Sequence, residues 1–281
     1  RYEANRMRVV RQVRYSTANE NCLDLVLFVN GIPVATVELK TDSTQSVQDA
    51  VDQYRYDRLP RSAGRSREPL LSFPGGALVH FAVSNQEVRM TTKLDGKATE
   101  FLPFNLGDDG GAGNPVNPEG GHRTSYLWED VWQRDSWLEL LGRFIIPQKD
   151  KKGQLDRFIF PRFHQLDATR KLISTIREEG PGQKYLVQHS AGSGKTNSIA
   201  WTAHFLADLH DQAGEKVFNT VIVVSDRKVI DGQLQEAIFS FERTMGVVAT
   251  IKGEGGSKSA ELAEVRARHV WQPIPEEVRA R

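Results

Sequence analysis

His189-Ser190-Ala191-Gly192-Ser193-Gly194-Lys195-Thr196 follows the apolar run Tyr185-Leu186-Val187 and leads into Asn197-Ser198-Ile199-Ala200-Trp201, a stretch of helical character. Strand, glycine-rich turn, helix is the order in which a phosphate-cradling P-loop occurs. Small residues let backbone N–H groups face phosphates, and the start of a helix adds a favourable dipole. On this reading Ala191, Gly192, Ser193 and Gly194 form the cradle of a nucleoside triphosphate. Lys195 reaches the β- and γ-phosphates, and the Thr196 hydroxyl binds Mg²⁺. The pattern departs from G-x-x-x-x-G-K-[ST] at its first position, where His189 stands in place of glycine. The competing reading is a tight turn capping a helix, and the flanking elements favour the cradle.

Outward from the loop, Arg162-Phe163-His164-Gln165-Leu166 opens an amphipathic helix through Ile176, and Thr220-Val221-Ile222-Val223-Val224-Ser225 is strongly β-prone. A β-α-β order with apolar strands predicts a RecA-like domain built on a parallel sheet. No Asp-Glu-x-His element follows the loop to hold Mg²⁺ and place the attacking water. The expectation is therefore an incomplete motor, a fragment that binds ATP weakly and does not hydrolyse it.

The 281 residues suffice for about two domains, and 39% hydrophobic with 26% charged residues is an ordinary globular composition. No apolar run approaches the roughly 20 residues of a membrane span. The arginine-rich start lacks the apolar core of a signal peptide. A lone cysteine, Cys22, excludes an internal disulfide framework and a cysteine-rich zinc site. The cytoplasm is the default location. A net charge of +1 does not announce a nucleic-acid binder, although Arg6, Arg8, Arg11 and Arg14 crowd the start and Arg55, Arg58, Arg61, Arg65 and Arg67 form a second cluster. Such clusters track phosphates or are simply solvated.

The first unit reads as strands and turns. Leu23 to Val29 is apolar and β-prone, Asn30-Gly31 is a hairpin signal, and Pro33 to Lys40 alternates. A helix is predicted from Gln45 to about Leu59, and two further strands at Leu78–Ser84 and Glu87–Thr92. The three tryptophans Trp128, Trp132 and Trp137 fall at near-helical spacing, as an aromatic packing face requires. The polar stretch Pro147 to Gly153 reads as a linker. The predicted division is a mixed α/β unit over 1–147, a linker over 148–154, and the P-loop unit over 155–281.

Asp24, Glu38 and Lys40 form D-(x)13-E-x-K across the predicted hairpin. The Asn30-Gly31 turn sets Asp24 across from a residue within one step of Glu38, and Glu38 and Lys40 share a face. Two adjacent carboxylates can hold Mg²⁺ through oxygen ligands. A lysine beside them can orient or activate the water that attacks a phosphodiester. This is the recipe of a PD-(D/E)xK nuclease. Glu-Leu-Lys is also what a cross-strand ion pair looks like. The position of Asp24 inside an otherwise apolar run favours function, because a carboxylate there is costly unless paired or metal-bound.

The order D…ELK, QDAVDQYRYDR, FHQLDATRKL, HSAGSGKTNSIAW and VIVVSDRKVIDGQLQ resembles the restriction (R) subunit of type I restriction–modification enzymes over nearly the whole chain. The resemblance implies a PD-(D/E)xK nuclease-like mixed-sheet domain joined to a superfamily 2 helicase-like motor that uses ATP to translocate double-stranded DNA. It also implies methyltransferase (modification) and specificity subunits as partners. Asp24 and Glu38 then become metal ligands, Lys40 the catalytic lysine, Gln165 the reader of adenine, and Lys195 and Thr196 the ATP·Mg²⁺ residues. Asp226, Arg227 and Gln233 fall where the family contacts DNA backbone. The family's Q-x-x-x-Y is imperfect here, since Gln53 is followed four residues on by Asp57, with Tyr54 and Tyr56 displaced. Glu3 is the candidate for the family's acidic residue ahead of the first strand. The alternatives are a DNA-stimulated helicase or remodelling ATPase whose first domain does not cut, and a P-loop enzyme of small molecules.

Overall fold

The structure, a computed structural model, describes residues 2–61, 67–150, 152–224 and 228–241, with residues 228–233 described by their backbone alone. Its centre is a six-stranded sheet ordered β1 (Met7–Arg14), β2 (Cys22–Val29), β3 (Ile32–Leu39), β4 (Val79–Val83), β5 (Val88–Thr91) and β6 (Leu102–Pro103). Asn30 and Gly31 make the β2–β3 turn with φ of 54° and 81°. Two left-handed residues in a row are what a type I′ hairpin turn demands, and Asn-Gly supplies them at low strain.

Every pairing is antiparallel except β3 with β4, which run parallel with Val37 opposite Phe81. This central pair is buried along most of β3 and all of β4, as parallel strands covered on both faces are. The crossover between them carries α1 (Val47–Asp52). Ser46 caps it: its hydroxyl accepts from Gln48 N at 3.2 Å, and its own N–H donates to Asp49 Oδ2 at 2.6 Å. The helix continues as a π-type turn, Gln53–Asp57. Val47, Ala50 and Val51 pack on Ala82 and close one face of the sheet.

The other face carries Leu27, Ala35, Val37, Phe81 and Met90. It is covered by α2 (Arg134–Glu139) and the π-type turns on either side of it, Leu127–Val131 and Leu140–Phe144. The tryptophan-bearing segment therefore packs as predicted: Trp137 is fully buried and the Trp132 ring lies 5.6 Å from Phe81, while Trp128 stays 39% exposed. Of the polar stretch, Pro147, Gln148 and Lys149 lie in β7 (Ile146–Lys149), which pairs antiparallel with β8 (Leu155–Ile159), and Gly153 N–H donates to Asp150 O at 2.9 Å in the turn between them.

Beyond this hairpin the same core continues into α3 (Phe163–Glu179) and α4 (Lys195–Ala207), through Leu166, Ile173, Ile176, Ala200, Trp201 and Phe205. Trp201 Nε1 donates to the carbonyl of Phe144 at 3.0 Å. The helix α5 (Lys228–Ser240) packs against α4, where His204 Nε2 donates to Ile238 O at 2.9 Å. Phe160 is the hub of this core, with ring centroids 5.9 Å from Phe81, 5.8 Å from Phe104 and 6.3 Å from Trp137.

The P-loop unit departs from expectation in its strands. Tyr185–Val187 and residues 220–224 have no ladder partner among the described residues, and Leu186 and Val224 are 89% and 85% exposed. Apolar character fits a strand only when a neighbouring strand completes the ladder and both faces are covered. Neither condition is met here, so a parallel sheet is not part of the described fold. Among the described residues, no helix is long and apolar enough to cross a membrane.

Phe160→Ala is expected to destabilise the protein by about 3–5 kcal/mol, the range for deleting a buried aromatic. Urea unfolding measures it, and a loss below about 1 kcal/mol would show that Phe160 is not the hub.

Candidate functional site

The β2–β3 ladder brings the first carboxylates together. Leu25 lies opposite Val37, so one step further along the ladder Asp24 faces Glu38. On the other side of β2, Arg11 pairs with Leu25 and Val13 with Leu23, which sets Gln12 across from Asp24. Gln12, Asp24 and Glu38 thus form one row across three strands. Asp24 Oδ1 accepts from Gln12 Nε2 at 3.0 Å, and Oδ2 accepts from the backbone N–H of Leu39 at 2.8 Å. Gln12 has a φ of 50°, an uncommon conformation for a residue with a side chain.

Glu38 is fully buried. Its Oε1 accepts from Arg58 Nε at 2.7 Å, and Arg58 is itself only 8% exposed. The π-type turn delivers this arginine, whose backbone N–H bonds Gln53 O at 2.9 Å. Burial pushes the Glu38 carboxyl up to about 7; the Arg58 charge opposes this without overcoming it, and the Asp24 carboxylate adds to the rise. Beneath the row, Thr36 Oγ1 lies 2.8 Å from Tyr54 OH and 2.7 Å from His80 Nδ1. Burial pushes His80 down to about 3, so its imidazole is neutral.

Two buried oxygens of this region, Glu38 Oε2 and Gln53 Oε1, have no hydrogen-bond partner. An unsatisfied buried acceptor is costly, and a cation bound at the Glu38 oxygen would satisfy it. The donor set is all oxygen, which suits Mg²⁺. Two carboxylates are enough, since Mg²⁺ is commonly held by one or two of them with waters and substrate phosphates. Among the described residues there is no cluster of three or more His, Cys, Asp or Glu able to hold a metal.

Lys40 leaves β3 with its backbone N–H on Val83 O at 2.8 Å. It lines a cleft of about 350 Å³ together with Gln45, Asp49, Asp52, Gln53, Tyr56 and Asp57. It has no ion pair among the described residues. Of the two displaced tyrosines, Tyr54 is buried against Thr36 and Tyr56 is 55% exposed at the cleft. Glu3 is not brought here; its carbonyl accepts from Arg134 Nη2 at 2.8 Å, away from the row. Sequence reasoning named Asp24, Glu38 and Lys40 as candidates and did not name Gln12 or the contact of Arg58 with Glu38. The register of β1 and the π-type turn place those two, and neither is written in local composition.

At the second site, Gly192 and Gly194 take φ of 74° and 80°, and Gly194 caps α4. The backbone N–H groups of Gly192, Gly194, Lys195 and Thr196 donate to nothing among the described residues, as a phosphate cradle requires. The loop carbonyls, by contrast, are held by the start of α3. Arg162 Nη2 donates to Gly192 O at 3.2 Å, His164 Nε2 to Ser193 O at 2.9 Å, and Gln165 Nε2 to Gly194 O at 2.9 Å. Gln165 is buried, and its Oε1 also accepts from Arg162 N at 2.9 Å. His189, standing where glycine was expected, meets the His164 ring edge-on at 5.0 Å. Lys195 Nζ donates to Ser190 O at 2.8 Å and His189 O at 3.2 Å, folded back over the loop. Ala191 lies exposed on the loop and Ser193 is buried within it. Asp226 and Arg227 lie outside the described residues; Gln233 falls on α5, with its side chain outside them.

One mixed α/β fold thus carries a half-buried and a buried carboxylate facing each other across a hairpin, and a glycine loop at a helix start. Residues 1–99 match the family described as type I restriction enzyme R protein N terminus, and residues 164–258 match the SWI2/SNF2 ATPase family. The chain is 24% identical over 241 residues to MjaVIIIP, a type I restriction enzyme endonuclease subunit of Methanocaldococcus jannaschii, covering 80% of this chain and 20% of the relative. It is 24% identical over 245 residues to the type I restriction enzyme HindI endonuclease subunit of Haemophilus influenzae, covering 84% and 22%. A third relative is the SauCOLORF180P endonuclease subunit of Staphylococcus aureus, 24% identical over 242 residues, covering 85% and 23%. The chain is a relative of the restriction (R) subunits of type I restriction enzymes, the family its motifs resemble. It spans about a fifth of the length of these curated relatives.

The raised carboxyl of Glu38 stabilises the fold fully below its ordinary value of 4.5, and that stability is lost as pH rises through about 7. In Glu38→Gln, the fall in unfolding free energy between pH 5 and pH 8 should shrink by about 2–3 kcal/mol. An unchanged pH profile would contradict the burial of an ionisable group there. At the loop, a Cβ on Gly194 would lie 2.5 Å from Gln165 Nε2. Gly194→Ala should therefore weaken nucleotide binding at least about tenfold, with roughly 1–2 kcal/mol from left-handed strain alone. Calorimetry with an ATP analogue reads this directly, and wild-type affinity would reject the close approach.

Proposed function

We propose that this chain is the nuclease and motor-entry part of the restriction subunit of an ATP-dependent type I restriction endonuclease. The reading assigns Mg²⁺-dependent cleavage of duplex DNA to a unit over 1–147. ATP-driven DNA translocation begins in a unit over 155–281, joined to the first by 148–154. The single observation that supports it most is Asp24 facing the buried Glu38, one of whose oxygens has no hydrogen-bond partner. Bound there, Mg²⁺ would polarise the phosphodiester and lower the pKa of the attacking water.

The residues of the chain do the rest. Asp24, oriented by Gln12 and by Leu39 N–H, and Glu38 present oxygens on one face. Lys40, unpaired at the rim of the adjoining cleft, is positioned to orient the attacking water and to neutralise charge on the phosphate. In the second unit, the unpaired N–H groups after Ala191 receive phosphates, with Lys195 swinging off Ser190 O to meet them. Thr196 supplies a hydroxyl for the nucleotide's Mg²⁺, and Gln165, bonded to the loop carbonyl of Gly194, is proposed as the reader of adenine. Asp226, Arg227 and Gln233 are proposed as DNA-backbone contacts of the motor. Methyltransferase and specificity subunits would supply recognition of the DNA sequence.

One observation favours a second reading. The Arg58 guanidinium occupies one oxygen of Glu38, as it would in a nuclease-like fold that has stopped cutting. The match to SWI2/SNF2 ATPases fits a helicase or remodelling ATPase equally well.

The two separate by mutation in the full assembly. Glu38→Ala or Lys40→Ala is expected to lower DNA cleavage by at least about 10²-fold, the scale of losing one positioned electrostatic group, while ATP hydrolysis stays at wild-type rate. Cleavage at the normal rate in either variant would leave only the second reading. Lys195→Ala should abolish ATP hydrolysis, with cleavage lost indirectly; retained hydrolysis would reject the P-loop.

A further inference from the structure

The edge strand β1 carries its face well beyond the carboxylate row. On β1, Arg8, Val10 and Gln12 share one side, because side chains of a strand alternate. The register fixes which side it is. Arg8 pairs with Phe28 and Val10 with Val26, and Gln12 reaches Asp24 through its carboxamide. Arg6 extends the line, since its backbone N–H donates to Asn30 Oδ1 at 2.8 Å and its carbonyl accepts from Asn30 N at 2.8 Å. These arginines therefore stand in file with the Gln12–Asp24–Glu38 row, on the same face of the sheet.

The surface there is concave. A hollow of about 920 Å³ is lined by Arg6, Arg8, Val10, Phe28, Asn30 and Arg134, among others, and no acidic residue lines it. Neither Arg6 nor Arg8 has an ion-pair partner among the described residues, and both are exposed. Arg134 is spent on the start of the chain: its Nη2 donates to Tyr2 O at 3.1 Å and Glu3 O at 2.8 Å, and its guanidinium lies over the Tyr2 ring. The nearby acid Asp135 is taken by the Tyr2 hydroxyl. Like charges gathered in a hollow without counter-charge repel one another, and they focus a positive potential that an anion relieves. The neighbouring cleft by Lys40 has the opposite character, with Asp49, Asp52 and Asp57 on its wall.

We propose that this hollow is a docking surface for the sugar–phosphate backbone of nucleic acid, which Arg6 and Arg8 hold beside the strand being cut. The inference rests on the nuclease reading for its partner, and the geometry argues for a polymer over a small anion. Arg8 is four residues from Gln12, roughly 13 Å along the strand, the axial rise of about four nucleotides of B-form DNA. A single phosphate at the arginines does not reach from there to the carboxylates. A chain of phosphates engages the file and ends at the carboxylates. Arg11 is on the opposite side of β1, paired with Leu25, and takes no part.

The test is the salt dependence of duplex DNA binding by the full-length protein, without ATP and without divalent metal, so that no cleavage intervenes. Arg6→Ala/Arg8→Ala is expected to lower the slope of log K against log salt by about 2, one unit for each lost phosphate contact. Arg8→Glu should weaken binding at low salt at least about tenfold. Arg11→Ala should keep the wild-type slope. A wild-type slope in the double variant, or an equal drop in Arg11→Ala, overturns the proposal. Failure here is distinct from failure of the nuclease reading, because Glu38→Ala reports on cutting and not on the salt slope. An inactive Glu38→Ala protein with an unchanged double-variant slope would reject the docking surface alone.

Discussion

A carboxylate with no exposed surface, facing a second carboxylate across a hairpin, is the constraint from which the rest of this structure follows. Removing Glu38 from water disfavours its charge, and one guanidinium answers only one of its two oxygens. Holding that arrangement requires several elements to agree. The left-handed Asn30-Gly31 turn fixes the register that sets Asp24 opposite Glu38. A slip of one residue would turn Glu38 to the other face, among Phe81 and Trp137. The crossover helix must then present its π-type turn so that Arg58 reaches down and Tyr54 bonds Thr36. π-type turns of this kind are rare and recur at functional sites.

The same constraint gives Arg58 two meanings. As a counter-charge it makes the buried row tolerable without a metal. A cation bound at the free oxygen of Glu38 would compete with it electrostatically, so metal binding and the Arg58 contact are coupled. The second site sits beyond the opposite face of the sheet, past the aromatic layer of Phe81, Trp137 and Phe160. Trp201, bonded to Phe144 O, ties the helix that starts at the glycine loop to that layer. Interiors packed in this way transmit strain, which gives a physical route between the glycine loop and the sheet.

Much of this was legible in the residues, because the deciding signals are local. Asn30-Gly31 fixed a hairpin, alternation fixed the strand faces, and Asp24 in an apolar run marked a carboxylate needing a partner. What escaped was non-local. Gln12 reads as one polar residue in an arginine-rich strand until β1 is laid against β2. Arg58 reads as a member of a surface cluster until the π-type turn points it inward. Gln165 was named by resemblance alone, as the reader of adenine, and its bonds to Gly194 O and Arg162 N depend on how α3 meets the loop. The runs at 185–187 and 220–224 show the limit most clearly, since apolar β-prone residues become strands only beside other strands.

Anomalous diffraction from crystals of the full-length protein soaked in Mn²⁺, in place of Mg²⁺, tests the central claim most directly. The account predicts one peak within coordination distance, about 2.0–2.6 Å, of a carboxylate oxygen of Asp24 and of the Glu38 oxygen that Arg58 leaves free. A peak bound elsewhere, or none at saturating metal while Arg58 stays on Glu38, would contradict it and leave the pair as a purely structural feature of the sheet.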